Sequence, residues 1–160
     1  MPKITPFLWF DNQAEEAAEF YVSIFPNSRI TEVSRYGDAG PGPAGSAMVV
    51  AFELDGSSFL ALNGGPDHFN FDESISFSID CADQEEVDHY WYSLSEGGGE
   101  IACGWLHDKY GLRWQVVPSE LPKLLSDPDR ERAKRATEAM FTMKKLDIAA
   151  LRAAADDTTS

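Results

Sequence analysis

Residues 74–99, SISFSIDCADQEEVDHYWYSLSEGGG, decide the fold. The stretch 74–80 alternates strictly, with Ile75, Phe77 and Ile79 on one face and Ser74, Ser76 and Ser78 on the other, the period of a half-buried strand. Asp83 stands where a helix over about 84–96 needs its cap, and the three glycines 97–99 stop that helix. Moved back by seventy positions, the pattern falls on the start of the chain. Glu85 and Glu86 meet Glu15 and Glu16, Tyr90 meets Phe20, Trp91 meets Tyr21, Ser93 meets Ser23, Leu94 meets Ile24, and Phe77 meets Phe7. Shared order, caps and flanking strands make this an internal repeat.

The first copy then reads as a strand at 4–10, a helix capped by Asn12 and running to 25, and strands at 28–36, 46–54 and 57–63. Ala14, Ala17, Ala18, Tyr21 and Ile24 form the apolar stripe of the helix. Asp55-Gly56 is a hairpin signal between the last two strands. Each copy closes on a strand led by glycine, Gly56 before SSFLALN and Gly111 before LRWQVVP. That match needs a shift of fifty-five, so the second copy has shorter middle strands. The order β-α-β-β-β, twice, predicts an α+β protein and excludes singly alternating α/β layers.

Composition bounds the rest. The 160 residues are 43% hydrophobic and 12% aromatic, too rich for a disordered chain. The net charge of −14 repels phosphate backbones, which argues against a nucleic-acid partner. No apolar run reaches the roughly 18–20 residues of a membrane span, and MPKITPFLWF lacks a secretory pattern. Cys81 and Cys103 read as cytosolic thiols. Five basic and nineteen acidic residues lie in 1–119, whereas 120–160 hold eight of each, so a neutral tail follows an acidic body. Asp127-Pro128 is read as cap and first residue of a tail helix with the stripe Ala133, Ala136, Met140 and Met143. Asp147 is read as the cap of a last helix ending near Ala155. A helix of this kind must bury its stripe, and the expectation is a partner subunit, in a homodimer.

The blocks FYVSIFPNS, LNGGPDHFNF, DQEEVDHYW and CGWLHDKYGLRWQVVP, with the doubled layout, resemble the vicinal-oxygen-chelate superfamily of glyoxalase I, bleomycin-resistance proteins and extradiol dioxygenases. They resemble most its PhnB-like branch, whose members often carry the label 3-demethylubiquinone-9 3-methyltransferase. The resemblance covers residues 4–155 and implies one glyoxalase-like domain over 1–160. Module one would span 3–66, a shortened module two 73–118 and a helical tail 119–155, with the curved sheets enclosing a cup.

Relatives of that superfamily hold a divalent metal on the first and last strands of each module. The resemblance places those positions near Ile4, Leu60, Ser74 and Gln115. Two aliphatics, a hydroxyl and an amide are the wrong donors for a catalytic ion, which takes His and carboxylates. His68, His89 and His107 are read as surface residues, His68 and His107 in loops and His89 on a helix, so no metal and no cofactor is expected. The literal G-x-G-x-x-G at 40–45, GPGPAG, leads into a strand pattern rather than a helix. It therefore lacks the amides that cradle phosphate and reads as a hairpin connection.

Alternation sorts the strand faces. Phe7, Trp9 and Phe59 are expected beneath the first helix, and Ile75, Phe77, Ile79, Trp114 and Val116 beneath the second. The opposite face, the lining of the implied cup, would carry Leu8, Phe10, Leu60, Leu62, Ser74, Ser76, Ser78, Arg113 and Gln115. Asn63 at a strand end offers an amide. Trp105 and Tyr110 either wall the pocket or fill the core. Arg113 reads as an anion anchor or as an ion-pair partner, and Asp108-Lys109 as a turn. Gln115 and Cys103 are the candidates for catalytic work, although no acid, base or nucleophile pair is evident. The expected function is metal-independent binding of a small, partly apolar metabolite, sequestered or transformed, in the cytoplasm. The alternatives are the methyltransferase of the label, or a metal-dependent lyase or dioxygenase relative.

Overall fold

The computed structural model describes residues 3–66 and 69–158; His68 lies outside them. The chain divides into two compact units, residues 1–69 and 70–160. The first contains β1 (Phe7–Phe10), α1 (Ala14–Ile24), β2 (Arg29–Arg35), β3 (Ala47–Leu54) and β4 (Ser57–Asn63). The second contains β5 (Ser76–Cys81), α2 (Gln84–Ser95), β6 (Gly99–Glu100), β7 (Trp105–His107) and β8 (Arg113–Pro118), followed by α3 (Leu121–Leu125), α4 (Arg130–Phe141) and α5 (Ile148–Asp156). Sheet order is β1-β4-β3-β2 in one unit and β5-β8-β7-β6 in the other. In each, the first and last strands run parallel and the other neighbours antiparallel. The repeat read from the sequence is thus a repeat of topology.

The matched helix positions also match in burial. Tyr21, Ile24, Trp91 and Leu94 are all buried, as are Ala17 and Val87. Asp83 caps α2 as expected, accepting from the Glu86 backbone N–H at 2.9 Å, while the Glu86 carboxylate accepts from the Ala82 N–H. Asp55 and Gly56 both take positive φ, 46° and 83°, which a two-residue hairpin turn requires.

Three boundaries differ from the sequence reading. The first strand starts at Phe7, leaving Ile4 90% exposed. Asn12 does not cap α1: its N-cap is Gln13, which makes no side-chain cap bond. The cap arrives instead from β4, where Asn63 Oδ1 accepts from the Ala14 N–H at 2.8 Å. In the tail, Asp129 rather than Asp127 caps α4, accepting from the Glu131 and Arg132 N–H groups. Asp127 sits two residues earlier, bonded to the Asp129 N–H and paired with Arg132, which hold its carboxyl below the usual range.

The tail stripe is buried against the chain's own second unit and not held open for a partner. Leu121, Leu146 and Leu151 form a core with Val117, Leu124, Met140 and Met143 around it. The Cys103 and Gly104 N–H groups donate to the Met143 and Lys144 carbonyls, each at 2.8 Å. Gln84 on α2 donates to the Leu146 carbonyl and accepts from the Ile148 N–H. The sequence pattern shows an apolar stripe but not its acceptor surface, and here the first turn of α2 and the β6–β7 loop provide it.

Candidate functional site

Strand register decides which side chains share a face, because paired residues point the same way. In the second unit, Ser76 pairs with Arg113, Ser78 with Gln115, Trp105 with Gln115 and His107 with Arg113. These six therefore project from one face. Phe77, Trp114, Val116 and the fully buried Leu106 project from the other, toward α2. Five of the sequence-derived site residues (Ser76, Ser78, Trp105, Arg113 and Gln115) are brought together here. The sequence reading had put His107 in a loop, whereas it ends β7 on this face. Its placement was implicit in the alternation from Trp105, two residues earlier.

The polar groups on this face are already oriented. Gln115 Nε2 donates to Ser76 Oγ at 2.9 Å, which directs the amide oxygen away from the hydroxyl. Arg113 is engaged within its own unit: Nε and Nη2 donate to Glu73 Oε1 at 3.0 and 2.9 Å, and Nη1 donates to the Phe71 and Gly111 carbonyls. The guanidinium holds the Glu73 carboxyl below its ordinary range. Of its two sequence readings, ion-pair partner is the one this geometry matches.

Ser74 does not join the face. It lies in a turn before β5, with its N–H and Oγ both donating to Asp72 Oδ1, and Ile75 beside it is 66% exposed rather than packed beneath α2. The turn ends the ladder at the Ser76–Arg113 pair. Cys103 also stands apart, in the loop before β7 at a positive φ of 55°, its backbone gripping the tail. Tyr110 and Asp108 form the turn into β8. The buried Asp108 carboxylate accepts from the Tyr110 and Leu112 N–H groups and from Trp114 Nε1.

In the first unit the expected faces are exchanged at β1. Phe52 stacks near Tyr21 of α1, so its side of the sheet is the helix side. Phe52 pairs with Phe59, and Ala61, two residues on from Phe59, pairs with Leu8. Leu8 and Phe10 are therefore core, at 7% and 4% exposure, while Phe7 and Trp9 share the opposite face with Leu60 and Leu62. A slip of one residue turns every side chain over, and periodicity within β1 carries no information on which phase is inward. Trp9 is fixed on this face. Its Nε1 donates to the Gly65 carbonyl, its ring lies where a Gly64 side chain would stand, and Phe69 meets it edge-on at 5.4 Å. The Asn63 amide is engaged within the fold: Oδ1 caps α1 and Nδ2 donates to the Ala47 carbonyl at 3.1 Å.

The metal positions suggested by resemblance do not fit an ion. Ile4 lies ahead of β1, Ser74 is in its turn, Leu60 is aliphatic, and Gln115 is tied to Ser76. The open face of β5, β7 and β8 supplies hydroxyls, an amide, a guanidinium and the single imidazole of His107, short of the three His or carboxylate donors that a catalytic cation takes. Among the described residues no group of three or more His, Cys, Asp or Glu is placed to hold a metal ion. No described helix is long and apolar enough to cross a membrane.

Paired four-stranded sheets of this order, each backed by one helix, define a protein of the glyoxalase and bleomycin-resistance fold. The chain belongs to the 3-demethylubiquinone-9 3-methyltransferase family, whose sequence model matches residues 2–117. It is similar to the PhnB protein from Bacillus cereus, at 35% identity over 73% of this chain and 99% of that one, with a TM-score of 0.68. It shares its fold with protein PA1353 from Pseudomonas aeruginosa (20% identity, 74% and 98% of the two chains, TM-score 0.62). The same holds for the fosfomycin resistance protein FosX from Listeria monocytogenes (12% identity, 74% and 93%, TM-score 0.50). No curated protein matches the chain. The family match stops before α3, so the three tail helices lie beyond it.

Proposed function

We propose that this chain is a metal-independent small-molecule-binding protein of the glyoxalase and bleomycin-resistance superfamily. Its ligand would lie on the open face of β5, β7 and β8. The observation that carries this reading is the Gln115–Ser76 hydrogen bond beside Trp105. A fixed amide and hydroxyl next to an indole combine orientation with apolar contact, the usual make-up of a small-ligand site. Ser78 adds a second hydroxyl on the same face. Among the described residues the His107 ring meets the Asp108 carbonyl and the Ser76 hydroxyl meets the Gln115 amide, so neither is engaged as a base–nucleophile pair, which supports sequestration over catalysis.

A thermal-shift screen of the full chain against a metabolite library tests the reading, since a ligand that binds only the folded state raises its apparent stability. Gln115→Leu and Ser76→Ala should abolish the shift of any true hit while leaving the unliganded midpoint within a few degrees. A hit that is indifferent to both variants would reject this face as the site. Dimerisation and a cytoplasmic location belong to the same proposal. The exposed Phe141 and Tyr92 on the second unit support the first, and the two unpaired cysteines support the second. Light scattering that returns a monomer would remove the dimer.

A further inference from the structure

A cleft of about 550 Å³ opens in the first unit, where the start of α1, the connection from β2 to β3 and the turn after β4 converge. None of Phe7, Trp9, Leu60 or Leu62 lines it. It is therefore separate from the open sheet faces, and its volume suits a small molecule.

Its frame is rigid. Asn63 ties three walls together: its side chain bonds the Ala14 N–H and the Ala47 carbonyl, and its own carbonyl accepts from the Tyr36 hydroxyl at 2.5 Å. The Gly65 N–H donates to the Asp11 carbonyl, closing the fourth. The glycine run 40–45 now has a physical role, as a strap across the Tyr36 ring. A side chain at Gly42 would stand 2.3 Å from ring carbons, and one at Gly40 about 2.9 Å. Pro41, Pro43 and Pro66 present rigid apolar surfaces to the cavity.

Its charges are Asp11, Glu15 and Arg35. Arg35 is occupied, Nη2 donating to Glu15 at 3.2 Å and Nη1 to the Gly45 carbonyl at 3.4 Å. The Asp11 carboxylate has no hydrogen-bond or ion-pair partner among the described residues, and neither has the neighbouring Asn12 amide. With Glu15 paired to Arg35, one unpaired negative charge faces a pre-shaped hollow of mixed polar and proline surface, in a protein of net charge −14 whose field concentrates cations.

We propose that this cleft binds a small organic monocation, a primary ammonium group on an apolar ring. The ammonium would meet Asp11 and the ring would lie against the prolines. The proposal is independent of the ligand face in the second unit.

Titration of the full chain with tryptamine, followed by amide NMR, tests it. Saturable one-site shifts are expected around Asp11, Gly42 and Gly45. The neutral analogue tryptophol should bind at least about tenfold more weakly, and the anion indole-3-propionate more weakly still. Asp11→Asn should cost at least about tenfold in tryptamine affinity, and Gln115→Leu should leave it unchanged. Absence of saturation, equal binding of tryptophol, an indifferent Asp11→Asn, or shifts centred on Trp105 and Gln115 would each overturn the proposal. The comparison of tryptamine with tryptophol uses the unaltered chain, so it stands even if a variant folds poorly.

Discussion

Trp114 Nε1 donates to Asp108 Oδ2 at 2.9 Å, and both side chains are buried, at 3% and 1% exposure. The other carboxylate oxygen accepts from the Tyr110 and Leu112 N–H groups, so one acid organises the turn from β7 into β8. The distinctive HDKYGLRW block is thus an architectural device that sets β8, and with it Gln115 and Arg113, in register. Gly111 contributes its positive φ of 91° to the same turn.

Asp108→Asn should therefore destabilise the chain by about 3 kcal/mol, since an amide must point one N–H at another donor in a buried place. Trp114→Phe removes a single donor and should cost less of the hydrogen-bond share, about 1–3 kcal/mol. Urea unfolding of both variants checks the order. An Asp108→Asn protein as stable as the unaltered chain would remove the carboxylate from this role.

The two thiols should differ sharply. Burial, with the nearby Glu86 and Asp80 charges, pushes the Cys81 thiol up to about 12, whereas Cys103 is partly exposed. Alkylation by iodoacetamide at pH 8 should modify Cys103 alone, as read by peptide mass spectrometry. The folded chain keeps Cys81 protonated, so its contribution is complete below the unfolded thiol value near 9.0 and is lost as pH rises from there toward 12. Cys81→Ser should flatten that alkaline limb, and an unchanged limb would assign it to other groups.

Chain dialysed against Zn²⁺, Ni²⁺ or Mn²⁺ and then against buffer should retain well under one ion per molecule by elemental analysis. One tightly held ion would contradict the donor chemistry of the open faces. Calorimetric titration with S-adenosylmethionine should give no saturable heat, because the glycine run at 40–45 is spent on Tyr36 and is followed by a strand. Clear saturation would revive the activity in the family's description.

The doubled β-α-β-β-β order, the second helix with its Asp83 cap, the Asp55-Gly56 hairpin and the polar face of β5 and β8 were all legible in the residues. They depend on local periods and caps, which neighbouring residues express. The inward phase of β1 was not legible. In FLWF every residue is apolar, so alternation has no contrast to read, and only the parallel register of Phe7 with Leu60 chooses the side. The same holds for α1, whose cap comes from Asn63, forty-nine positions away. His107 was legible only through its alternation with Trp105, because its strand lasts three residues.

The amino-acid order by itself determined the repeat, the acidic body and the helical tail, because each is a matter of residue type and spacing along the chain. Tertiary structure alone decided which aromatic residues stay open, where the tail buries its stripe and that a glycine run becomes a strap on Tyr36. Each of these depends on contacts between distant segments, whose energies balance only once the strands have found their register.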